Sequence, residues 1–269
     1  SNINPARFYT LDINLSDGQL DEGDITFTKV TTLLDENGDP FAENSLDPEG
    51  IALTENGSVY ISSEGEARPD IPRLTNPFVN QFSFSGQQLS ELPVDEKYFP
   101  TQDGTTGIRN NLAFESLTIT PDGHYLYTAT ENALVQDGPA SSIDQASPSR
   151  IIKYDRLTGT AIAEYLYQVE QVPDAPIPEG SFATNGLVEL LAIDDNGTLL
   201  ALERAFSNGV GNTVKLYEIQ TQDAMDVSGL DTLYDSSGNP LFEANAPVSK
   251  RLLVDFEADL GIVPDNLEG

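Results

Sequence analysis

No cysteine occurs in this 269-residue chain, which excludes disulfides, thiolate-held metals and a cysteine nucleophile. No stretch of 18 apolar residues is present, so a membrane-spanning helix is not expected. An N-terminal signal pattern is also missing, and the chain opens Ser1-Asn2-Ile3-Asn4 without a methionine, as if an upstream segment had been removed. Neither a glycine-rich phosphate loop nor an HExxH pattern occurs. Basic side chains are few: 13 Lys and Arg against 44 Asp and Glu, a formal net charge of −31. A field of that sign repels phosphate backbones, so nucleic acid is not an expected partner. The acidity has two readings: solubility of a secreted or salt-adapted protein, or carboxylates that collect divalent cations, most simply Ca²⁺ through hard oxygen ligands.

What the chain does have is glycine (21), proline (17) and 38% hydrophobic residues, the composition of many short strands joined by turns. It also has an internal repeat. SLDPEGIALTENGSVYISSEGE (45–66), NLAFESLTITPDGHYLYTATENA (111–133) and TNGLVELLAIDDNGTLLALERAF (184–206) share one plan: a glutamate, an alternating apolar run, a turn, a second alternating run, another glutamate. The leading glutamates are Glu49, Glu115 and Glu189, and Glu268 in DNLEG (265–269) opens a fourth copy. Period-2 alternation predicts strands, and the turns at Asn56-Gly57, Asp122-Gly123 and Asn196-Gly197 predict hairpins.

Two further strands are expected after each hairpin: 80–86 and 87–94, 150–159 and 160–169, 213–220 and 249–257. Four antiparallel strands per period is the plan of a β-propeller blade. The periods of 66, 74 and 79 residues exceed a compact blade of about 40–45, which predicts long loops after the second and fourth strands. Residues 6–18 and 24–34 resemble a third and a fourth strand. The expected fold is therefore all-β: one propeller domain over 1–269, with three full blades and partial blades at both ends. Open sheet edges are a liability, so a further segment or chain is expected to complete the propeller. The alternative is an open or otherwise arranged all-β domain.

In a propeller, the start of each first strand and the end of each second strand lie on one face. Glu49, Glu115, Glu189 and Glu268 would share that mouth with Glu64, Glu131 and Glu203, joined by oxygens from Asp47, Asn111, Asn185 and Asp265. Such a ring has three readings: a Ca²⁺ site, a general acid/base of raised pKa among crowded like charges, or a structural set accepting backbone N–H groups or pairing with arginine in the next blade. Arg68, Arg73, Arg109, Arg150 and Arg204 are expected to border the mouth. There they either hold a phosphate or carboxylate bidentately or balance the glutamates. The one histidine, His124, falls in a hairpin turn on the opposite face, so a Ser-His-Asp triad at the mouth is excluded. Hydrolysis there would have to be metal-assisted.

LDPEG (46–50), SSEGE (62–66), NLAFESLTITPDG (111–123), TATEN (128–132), LVELLAIDDNGTLLALER (187–204), VSKRLLVDF (248–256) and DNLEG (265–269), in this order, resemble the phytase-like family, "esterase-like activity of phytase". The resemblance covers nearly the whole chain. It implies an exported β-propeller with phosphoesterase or esterase activity. The family's first hairpin and the segment after DNLEG are lacking here. Two hypotheses follow. One is a Ca²⁺-dependent phosphoesterase acting on a small phosphorylated substrate. The other is a non-catalytic acidic propeller that binds cations or a protein partner as a binding or scaffold module.

Overall fold

The computed structural model describes residues 5–68, 73–243 and 246–267. The alternating runs fold as strands throughout. Residues Arg7–Ile13 (β1) and Ile25–Thr32 (β2) form a two-stranded antiparallel sheet. The first full sheet contains Pro48–Leu53 (β3), Ser58–Ser63 (β4), Phe78–Ser83 (β7) and Gln88–Leu92 (β8). Between β4 and β7 a small hairpin, Glu66–Arg68 (β5) with Arg73–Thr75 (β6), stands apart as its own sheet. The second full sheet is Phe114–Ile119 (β9), Tyr125–Thr130 (β10), Ser147–Asp155 (β11) and Thr160–Val169 (β12). The third is Ala183–Ala192 (β13), Thr198–Ser207 (β14), Gly211–Gln220 (β15) and Ser249–Asp255 (β16). Each full sheet is antiparallel and keeps chain order. Among the described residues one short α-helix, Phe256–Leu260 (α1), is capped by the Asp255 carboxylate. The hairpin turns follow their sequence signal: Gly57, Gly123 and Gly197 have φ of 83°, 74° and 90°, a region glycine enters without a Cβ penalty.

The sheets stack face to face, and the core lies between them. Ala52, Tyr60, Val79 and Leu92 of the first sheet meet Leu117, Leu126, Ile152 and Tyr154 of the second. The opposite face of the second sheet, Tyr127, Ala129, Ile151 and Tyr167, meets Leu187, Leu190, Leu199 and Tyr217 of the third. Successive strand residues point to opposite faces, so a sandwiched sheet buries both, as the second one does. The first strands are neighbours: β9 packs against both β3 and β13. Among the described residues the sheets form no closed barrel or ring.

One expectation about the loops needs amending. The first two sheets do carry their extra length after the second and fourth strands. The third carries it between β15 and β16, over residues 221–248. Residues 227–233 of that segment fold back over the second sheet: Val227, Leu233 and Leu166 form a small core, and the Val227 N–H donates to the Glu164 carbonyl at 2.9 Å.

Candidate functional site

The leading glutamates sit where the inner hairpins are irregular. In β3 the register shifts between Pro48 and Ile51, placing Glu49 in the irregularity. In β9 the partner of Thr130 is Phe114 and that of Ala129 is Ser116, so Glu115 is the extra residue. A bulge re-aims side chains and is over-represented beside active sites. In the third sheet the bulge falls one residue earlier, at Val188, and Glu189 pairs in register with Leu202.

This offset goes with a different environment. Glu49 groups with Asp47 and Glu64, and Glu64 groups with Glu115 and Glu131; within each trio the carboxylate oxygens lie within 4.8 Å of one another. Glu189 is in neither trio. Its carboxylate accepts the Leu190 N–H at 2.7 Å. Burial pushes its pKa up to about 7, only partly offset by backbone N–H groups of Leu190 and Leu117.

The two trios share Glu64, which directly follows β4 and is joined to the β5–β6 hairpin through Gly65. Gly65 makes the turn possible: its φ is 72°, and a Cβ there would lie 2.4 Å from the Thr75 carbonyl oxygen. The turn leaves Glu64 buried, where its Oε1 accepts the Ala113 N–H at 2.7 Å across to the next sheet. Glu131 is buried likewise, and its carboxylate fills the space a Cβ on Gly186 would need, 2.0 Å from such an atom. The five-carboxylate group thus lies where the first and second sheets meet.

A polar cavity of about 140 Å³ adjoins it, lined by Asp47, Glu66, Arg68, Arg73, Asn110 and Asn111 among others. The Arg73 guanidinium pairs with both oxygens of Glu66, which holds its pKa above the ordinary arginine value. Two residues of the cavity wall, Asn44 and Asn111, have φ of 60° and 57°. Left-handed backbone outside glycine is uncommon, asparagine tolerates it best, and it gathers at functional sites.

Other expected site residues lie elsewhere. Glu203 is buried among donors: Tyr167 Oη at 2.8 Å, Asn185 Nδ2 at 2.8 Å, the Glu170 N–H at 3.2 Å and Lys250 Nζ at 2.5 Å. It plays the structural part allowed for these glutamates. Arg150, expected at the mouth, is instead wholly buried in β11. It holds Asp137 through Nε at 2.6 Å and Nη2 at 3.0 Å, and Glu164 through Nη1 at 2.9 Å. Lys97 reaches the same Glu164 oxygen at 3.4 Å. Buried charge persists only when paired, and with the Leu233 N–H donating to Asp137 at 2.9 Å and Lys97 to the Ser228 carbonyl at 2.6 Å, this network pins three loops to the second sheet. Arg109 is half-buried and donates to the carbonyls of Ala133 (3.0 Å) and Gly138 (2.6 Å). Arg204 donates to the Asn266 side chain, and the Asp265 carbonyl accepts from Asn212, so Asp265 and Asn266 return to the third sheet. Glu268 lies outside the described residues. His124 occupies its turn, 3.3 Å from Asp155 and stacked on Tyr125.

The family described as "Esterase-like activity of phytase" matches residues 1–269, the full span. The chain belongs to the phytase-like family. A secreted protein of Arthroderma benhamiae, itself described as uncharacterized, is 29% identical over 139 residues. That match takes in 43% of this phytase-like chain and 25% of the relative, so the chain spans about a quarter of the relative's length. A solved structure from Dyadobacter fermentans, of a protein of unknown function, superposes with a TM-score of 0.41 at 13% identity, over 85% of this chain and 67% of the other.

Proposed function

We propose that this phytase-like chain is an exported, Ca²⁺-dependent phosphoesterase whose site is the carboxylate group around Glu64 with the Arg68/Arg73 cavity beside it. The observation that carries the reading is the junction at Asp47, which belongs to one carboxylate trio and also lines the arginine cavity. Hard oxygen donors in this number suit Ca²⁺, which takes six to eight oxygens. Asp47, Glu49, Glu64, Glu115 and Glu131 would hold it. When bound, the ion neutralises charge on a phosphoryl group and activates water. Arg68 and Arg73 would then orient the phosphate, Arg73 through the N–H donors that its pairing with Glu66 leaves over. Export is supported by the secreted relative; among the described residues no helix is long and apolar enough to cross a membrane.

The three full sheets are, in this reading, blades of a β-propeller, supported by their chain-order strands and adjacent first strands. The β1–β2 sheet is the outer half of a further blade. Its cross-strand pairs Tyr9–Val30, Leu11–Phe27 and Ile13–Ile25 present apolar side chains that are all exposed, Phe27 by 67%. An apolar face of this kind marks an interaction surface, which a further segment or partner chain would cover.

The two carboxylate trios, taken without the arginine cavity, also fit a second reading, an acidic module that binds cations without catalysis. Calorimetric titration with Ca²⁺ and then with inorganic phosphate separates the two. Phosphate binding that requires Ca²⁺ and weakens in Arg73→Gln supports the phosphoesterase. Calcium binding with no phosphate binding supports the module, and no calcium binding overturns both.

A further inference from the structure

The β5–β6 hairpin is amphipathic, and each face walls a different cavity. Its pairs are Glu66–Thr75, Ala67–Leu74 and Arg68–Arg73. By strand alternation, the first and third pairs share one face and the second takes the other. Glu66, Arg68, Arg73 and Thr75 line the polar cavity of about 140 Å³. Ala67 and Leu74 line a second, solvent-open recess of about 210 Å³ together with Pro100, Ile108 and Val135, with Thr101 and Thr106 among its polar lining. The two recesses share Asn110, whose Oδ1 accepts the Ala67 N–H at 3.4 Å, at the edge of β5. The second recess holds one guanidinium, that of Arg109, and it is already donating to two carbonyls.

We propose, resting on the phosphoesterase reading, that the substrate is a monophosphate ester of a small apolar alcohol and not a polyol carrying many phosphates. The phosphoryl group enters the Arg68/Arg73 cavity, the ester crosses Asn110, and the alcohol occupies the recess of Ala67, Leu74 and Ile108. An apolar cavity of roughly 150 Å³ accepts a benzene ring, so the recess has room for one ring or a short alkyl chain. A polyphosphate has no comparable place. Each added phosphate needs its own cations, the recess offers none to spare, and a net charge of −31 repels a multiply charged anion. In the reaction the oxygen of water bonds to phosphorus and the P–O bond to the alcohol breaks with its electron pair. One proton of the water passes to the departing alkoxide, leaving the free alcohol and hydrogen phosphate.

The test measures phosphate release by the full chain with Ca²⁺ from benzyl phosphate, ethyl phosphate and inositol hexakisphosphate. The first two have similar leaving groups, so their ratio reads the recess. Burial of a ring predicts kcat/KM for benzyl phosphate about tenfold or more above that for ethyl phosphate, with the hexakisphosphate slowest. Leu74→Asn should lower the benzyl-to-ethyl ratio and Leu74→Met should keep it; should the Asn variant fail to fold, the wild-type ratio still decides. Equal rates for the two monoesters, or fastest release from the hexakisphosphate, overturn the apolar recess and leave the phosphoesterase standing. Absence of both cleavage and calcium-dependent binding of all three overturns the phosphoesterase reading, and this inference with it.

Discussion

Replacing Glu189 by glutamine isolates the effect of one buried carboxyl on stability. Its pKa is raised from 4.5 to about 7 by burial. The folded state therefore holds this proton over a pH range in which the unfolded chain has released it. Stability then falls as pH rises from about 4.5 to about 7 and levels off above. The stabilising, protonated form is fully present below the unfolded value and lost through the folded one. The span from 4.5 to about 7, at about 1.36 kcal/mol for each tenfold change in proton affinity, makes this on the order of 3 kcal/mol. Glutamine keeps the carbonyl that accepts the Leu190 N–H and cannot ionise. The variant should match the wild type near pH 4.5 and exceed it by on the order of 3 kcal/mol at pH 8. Urea melts of both proteins in chelator, at pH 5 and pH 8, give the comparison, and the difference between them cancels the pH dependence of the other carboxylates. A wild-type-to-variant gap that is the same at both pH values would refute the reasoning.

Calcium should raise the melting temperature through the Glu64-centred group, by about 2.7 kcal/mol of stability at a hundredfold excess over Kd; Glu115→Gln should shrink the shift, read by differential scanning calorimetry. Gly186→Ala should weaken calcium binding in the same assay, because a Cβ there meets the Glu131 carboxylate at 2.0 Å. Arg150→Met should destabilise by roughly 3–5 kcal/mol, since it leaves the buried Asp137 without its counter-ion and Glu164 with Lys97 alone; a urea melt within 1 kcal/mol (about the spread of surface changes) would contradict the network's role. Covering the β1–β2 face should matter for solution behaviour. The chain alone should self-associate in analytical ultracentrifugation, and a monodisperse monomer would count against a missing cover.

Much of the fold could be read from the alternation of apolar residues. Thr160–Val169 runs over the residues expected, because the turn residues before it and its run of strand-forming residues mark its extent. The β5–β6 hairpin could not be read, since three-residue strands carry too few alternations to register a period. At the site, the repeat located Glu49, Glu64, Glu115 and Glu131 but could not separate them from Glu189 and Glu203. The separation depends on a bulge displaced by one residue and on Lys250 and Tyr167 arriving from other strands, neither of which an aligned motif records. Arg150 misled for a related reason: its position at the end of a long loop gave no sign of Asp137 and Glu164 waiting beneath it. The strained backbone at Asn44 and Asn111 left no sequence trace beyond the residue type itself.

The most direct test of the central claim is the rate of phosphate release from a phosphate monoester by the purified chain, measured against Ca²⁺ concentration for the wild type and for Glu64→Gln. The account predicts release that saturates with Ca²⁺, vanishes in chelator, and needs much higher Ca²⁺ in the variant, because Glu64 belongs to both carboxylate trios. Release that is indifferent to Ca²⁺ or to Glu64, or no release at any concentration, would contradict it.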